Sequence, residues 1–124
     1  MNSKKLFGDF FKGKRIEESL SLREFCKKHQ LDPGNVSKLE RGILAPPKSM
    51  ETLKEYAKYL GITEESPDWT EYFDLAAASK GEIPHEILND DDLAKKLPLI
   101  FKVIRERKDT LDLFDNLIEV IKSS

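Results

Sequence analysis

The chain has 124 residues, 39% of them hydrophobic and 35% charged, with a formal net charge of −2, one cysteine and two histidines. That length gives one domain, or one small domain with an appendage, around a modest core. No run of 18 apolar residues exists, the start MNSKKLFGDFFKGKR lacks the long apolar stretch of a secretory signal, and the lone Cys26 excludes an internal disulfide, so the expected setting is soluble and cytoplasmic.

Catalysis has little to stand on. Neither His29 nor His85 sits beside a plausible nucleophile, and Cys-x-x-Cys, His-x-x-x-His and glycine-rich phosphate-loop spacings are all missing. The chain is therefore expected to be no enzyme and to need no cofactor or metal. The charge is divided: residues 1–62 hold 13 Lys and Arg against 8 Asp and Glu, and residues 63–124 hold 8 against 15. Such asymmetry fits a nucleic-acid-binding part joined to an acidic part, or an acidic surface that simply keeps the chain in solution.

In chain order, residues 3–18 are expected to form a first helix with Leu6, Phe7, Phe10, Phe11 and Ile16 on its apolar face. Gly8 and Gly13 weaken it by up to ~1 kcal/mol each, so it must gain stability from packing. Lys12, Lys14 and Arg15 lie on its basic flank. Ser21 with Glu24 three residues on reads as a capping box opening a second helix, and Asp32 followed by Pro33 opens a third. Phe25, Cys26, Leu31, Val36 and Leu39 would form the inner seam, which leaves Asn35, Ser37, Lys38 and Arg41 outside. The same DPGN stretch is good β-turn chemistry, so a plain helical hairpin is the bland alternative. Gly42 suits a helix end, ILAPPKSM is a loop, and Ser49 caps a fourth helix with Leu53, Tyr56, Ala57 and Leu60 on one face and Gly61 after it.

A boundary is expected at residues 63–66, giving a domain of residues 1–65 and a helical extension of residues 66–124. Ser66-Pro67-Asp68 opens a helix to about Lys80 whose Trp69, Tyr72, Phe73 and Ala76 are best read as packing against the globule. Residues 84–88 allow one helical turn. The acidic run Asn89 to Asp92 starts the next helix, with Pro98 kinking or restarting it, and lacks the loop spacing of a divalent-metal site. Asp109 or Thr110 begins the last helix. Phe101, Ile104, Leu111, Phe114, Leu117, Ile118 and Ile121 form an apolar stripe more extensive than a monomer's tail needs, and are assigned to a dimer or partner surface.

From Phe7 to Ile62, about half the chain, the sequence resembles the Cro and phage-repressor (XRE) family of helix-turn-helix regulators. The residues that carry the likeness are SLREF (Ser21 to Phe25), VSKLERG (Val36 to Gly42), the pair Pro46-Pro47 and LKEYAKYLGI (Leu53 to Ile62). The resemblance implies an all-α fold, a four- to five-helix lambda-repressor-like domain followed by a helical extension, with the third helix in the major groove of double-stranded DNA. It implies that Pro33, Gly34, Ser37 and Lys38 face base edges, that Ser21, Leu22, Arg23 and Arg41 lie near phosphates, that Lys48 reaches toward the minor groove, and that Arg15 pairs with Glu40. Three departures stand out. Leu22 replaces a glutamine that would bond a phosphate, Gln30 fills a turn position usually given to glycine, and Pro33 and Gly34 carry no side-chain donors, so base reading rests on Asn35, Ser37 and Lys38. The implied function is a sequence-specific regulator, most simply a repressor, acting as a homodimer on a pseudo-palindromic operator. The alternative is an antitoxin-like interaction protein whose acidic half binds a protein partner.

Overall fold

The computed structural model describes residues 3–106. Among the described residues there are seven helices and no strand: α1 (Ser3–Glu17), α2 (Leu22–His29), α3 (Pro33–Glu40), α4 (Met50–Tyr59), α5 (Pro67–Lys80), α6 (His85–Leu88) and α7 (Asp91–Glu106). The protein is all-α. It divides into two compact units, Met1–Pro84 and His85–Ser124.

In the first unit the starts of α2, α3, α4 and α5 each follow from a side chain that satisfies an otherwise unpaired amide. The Ser21 hydroxyl accepts from the Glu24 amide while the Glu24 carboxylate accepts from the Ser21 amide, and the side chains of Asp32, Ser49 and Ser66 accept from the amides of Asn35, Thr52 and Trp69. Pro33 and Pro67 fall in the first turn, where no donor is lost. The ends are equally local: Gly61 and Gly81 both take φ of 72°. Gln30 does the same work without being glycine, at φ 57° in the left-handed region, and the Leu31 amide then donates to the Cys26 carbonyl.

The core is built from Phe7 and Phe11 of α1, Phe25 and Cys26 of α2, Val36 and Leu39 of α3, Leu53 and Ala57 of α4, Leu60 and Ile62 after it, and Tyr72 and Ala76 of α5. Two residues expected on the buried face of α1 are outside it: Leu6 is 45% and Ile16 56% exposed. The buried stripe follows the i, i+4, i+8 row of Phe7, Phe11 and Arg15, and its last place belongs to an arginine because a carboxylate waits there. Leu31 is only partly buried.

The expected boundary after residue 65 falls inside this unit, which runs on through α5 to Pro84. Tyr72 is fully buried, its ring 5.2 Å from that of Phe7, and its hydroxyl donates to the Leu53 carbonyl at 2.8 Å. Trp69 and Phe73 lie beside it, partly buried. Lys14 of α1 donates to the carboxylate of Asp68 of α5, and that hydrogen bond raises the Lys14 pKa.

In the second unit Asp90 caps α7 by accepting from the Leu93 amide, and Asp91 and Asp92 occupy the first turn at the positive end of the helix dipole. Of the two expectations for Pro98, a kink or a restart, the restart does not occur: α7 runs through it as one helix. No described residue of α7 is buried. The last expected helix, with Leu111, Phe114, Leu117, Ile118 and Ile121, lies outside the described residues.

Candidate nucleic-acid interface

The candidate surface is the exposed side of α3, and α1 fixes where that side points. The two backbones meet closely at two glycines. A Cβ on Gly8 would lie 2.4 Å from the Leu39 carbonyl oxygen and 2.5 Å from that of Glu40, and one on Gly42, which has φ 76°, would lie 2.7 Å from Cα of Lys5. Only glycine allows this approach. A buried ion pair joins the same two helices. Arg15 donates through Nε and Nη2 to the two carboxylate oxygens of Glu40, both at 2.8 Å, and through Nη1 to the Leu20 carbonyl at 2.9 Å. One guanidinium thus holds α1, the α1–α2 connection and the C-terminal turn of α3 together, and the Glu40 hydrogen bond raises its pKa.

Held this way, α3 buries Val36, Leu39 and Glu40. At 100° per residue the opposite side carries Gly34, Lys38 and Arg41, with Asn35 and Ser37 on its flanks. Pro33, Gly34, Asn35, Lys38 and Arg41 are exposed, whereas Ser37 is half-buried, which leaves it less reach than the others. Lys38 is the one long cationic side chain at the centre of that side. Arg41 folds back, its Nε donating to the Ser37 carbonyl at 3.3 Å, so its charge stays at the helix end.

The residues assigned to phosphates are dispersed around this helix. Arg23 is exposed on α2, and Leu22 is half-buried and packs against the core. Ser21 differs from the expectation in one respect. Its amide donates to Glu24 at 3.0 Å, so a carboxylate already occupies the α2 start where an anion would sit, and the backbone amide is committed. The same hydrogen bonds lower the Glu24 pKa, the backbone one most. Lys48 is exposed in the α3–α4 loop, and its carbonyl accepts from Lys80 Nζ at 3.2 Å, which ties the end of α5 to that loop.

Three features were not foreseen. The Gly8 approach has no local signature, because a helical glycine only reads as a weak point. The Lys14–Asp68 pair joins residues far apart in sequence. His29 stacks on Tyr59, ring centroids 4.2 Å apart, with its edge toward Phe25; its Nε2 is buried without a hydrogen-bond partner and burial lowers its pKa. Cys26 is buried, and its thiol pKa is raised by that burial, the reverse of what a reactive thiolate requires.

Extending the first unit through α5 changes its charge balance, since residues 1–84 hold 14 Lys and Arg against 14 Asp and Glu. Any attraction for a polyanion must therefore be local and cannot come from the unit's overall charge. Among the described residues no group of His, Cys, Asp and Glu is placed to hold a metal ion, and no helix is long and apolar enough to cross a membrane. The chain matches no family model, no curated protein and no solved structure.

Proposed function

We propose that the chain is a sequence-specific, double-stranded DNA-binding transcriptional regulator of the Cro and phage-repressor (XRE) type, with a lambda-repressor-like domain, most simply a repressor acting as a homodimer on a pseudo-palindromic operator. The observation that carries the reading is the α2–α3 pair. Two capped eight-residue helices are joined through a left-handed Gln30, and the second presents an exposed polar side while its apolar side is locked onto α1. A plain hairpin needs no such lock, whereas a helix that enters a groove must be held in one orientation.

In this reading Lys38 reaches a guanine edge, Asn35 and Ser37 add flanking contacts, and Gly34 lets the start of α3 come close to the bases. Arg23, Arg41 and Lys48 hold phosphates, while Ser21 contributes through its hydroxyl alone. With few base-reading side chains, shape and phosphate contacts carry much of the affinity, and binding weakens steeply with salt.

The test is a titration of wild type, Lys38→Ala and Arg41→Ala with promoter and random duplexes. Lys38→Ala is expected to weaken the promoter complex by about 1 to 3 kcal/mol and to relax base preference. Arg41→Ala should lower affinity on every sequence and reduce the salt slope by about one. Equal losses on both duplexes for Lys38→Ala would remove its assigned role.

A further inference from the structure

We infer that Asp32 is a specificity-determining residue of the proposed DNA interface, its carboxylate accepting a hydrogen bond from the 4-amino group of a cytosine in the major groove. This rests on the regulator reading above and deepens it by naming a base-reading group that the resemblance does not assign. A helix that enters the major groove meets base edges chiefly through its N-terminal residues. The start of α3 runs Asp32, Pro33, Gly34, Asn35, and neither Pro33 nor Gly34 has a polar side-chain atom. The leading polar side chain is therefore that of Asp32.

Its carboxylate is exposed and held in place. Oδ2 accepts from the Asn35 amide at 2.9 Å, which fixes the group over the helix start, and among the described residues no ion pair involves Asp32. The same oxygen lies 3.3 Å from the place a Cβ on Gly34 would take, which sets the carboxylate at the leading edge of the side that carries Gly34 and Lys38. That Cβ would meet nothing else within 4 Å and Gly34 has no positive φ, so the fold does not demand glycine there. What glycine does is leave the carboxylate uncovered. An ionised carboxylate only accepts hydrogen bonds. In the major groove guanine and thymine present acceptors, adenine an acceptor beside its amino group, and cytosine a donor with no acceptor beside it on the same base. Lys38, a donor only, takes the opposite preference; it stands six residues on, about 9 Å along the helix, or roughly two to three base pairs. Asparagine or serine would cap α3 as well as aspartate does. The charge adds repulsion toward acceptor edges, which discriminates against the wrong bases.

The test uses the full chain and its Asp32→Asn and Asp32→Ser variants. Each is titrated with the promoter duplex, with a random duplex, and with a set in which every base pair of the promoter is exchanged in turn, C·G for T·A included. Wild type should lose at least about tenfold when one particular C·G pair becomes T·A, because the amino donor is replaced by a carbonyl acceptor. Both variants should lose that preference and bind the random duplex more tightly, while their thermal melts stay near wild type because the cap is kept. An unchanged base profile in the variants, or an equal loss on every duplex, would overturn the assignment and leave Asp32 as a cap. Wild type keeps the two proposals apart: if it discriminates among duplexes while the variants keep its profile, only the role of Asp32 falls, and if it binds all duplexes alike, the regulator reading falls with it.

Discussion

Arg15 is the residue on which the orientation of α3 depends. Both it and Glu40 are almost wholly buried, and the guanidinium meets both carboxylate oxygens and a backbone carbonyl at once. Removing one partner strands the other charge, so Arg15→Ala and Glu40→Ala should each cost about 3 to 5 kcal/mol in urea denaturation. The double change Arg15→Met with Glu40→Met should cost less than either, because no charge is then left buried; a double variant as unstable as the sum of the singles would contradict this. His29 gives a pH dependence whose sign is fixed. Its folded pKa is below the ordinary 6.5, so the unfolded chain binds more protons between the two values, and stability falls as pH drops below about 6.5. Thermal melts from pH 7.5 to 5.5 should show that fall, and His29→Phe, which keeps the stack on Tyr59, should flatten it. The Arg15–Glu40 pair was legible because both residues lie in recognisable motif positions. The His29 stack was not, because nothing adjacent in sequence marks Tyr59 as its partner.

At the scale of elements, two glycines in one helix should respond in opposite directions. Gly13 faces open space, so Gly13→Ala should stabilise by roughly 0.5 to 1 kcal/mol through helix propensity alone. Gly8→Ala drives a Cβ into the Leu39 and Glu40 carbonyls and should destabilise by about 1 to 3 kcal/mol as α1 is pushed off α3. Urea unfolding of both variants checks this, and a stabilising Gly8→Ala would refute the close approach. Helix starts were the most legible features of the chain, since Ser21, Asp32, Ser49 and Ser66 each act on the amide three residues on. Which face of α1 is buried was less legible. Hydrophobicity pointed to Leu6 and Ile16, yet the charge partner on α3 turned Arg15 inward instead.

For the whole molecule, the first unit is larger than the resemblance suggested. The aromatic spacing of Trp69, Tyr72 and Phe73 was visible in sequence, but a helical stripe says what is apolar and not what it covers. With Tyr72 fully buried against Phe7 and bonded to the Leu53 carbonyl, a fragment of residues 1–65 should lose cooperative unfolding, while residues 1–84 should keep it. Calorimetry on the two fragments separates these outcomes, and a cooperative 1–65 fragment would return α5 to the extension. The neutral balance of residues 1–84 also predicts that non-specific DNA binding is weak at physiological salt, since a neutral unit has no overall attraction for a polyanion.

The central claim is that α3 reads DNA, and the most direct measurement is fluorescence anisotropy of the full chain on a duplex from its own promoter and on a random duplex, each at two salt concentrations. The account predicts binding to the promoter at least ~1,000-fold tighter than to random sequence, with affinity falling as salt rises. Equal, weak binding to both duplexes would contradict it and leave the α2–α3 pair as a scaffold.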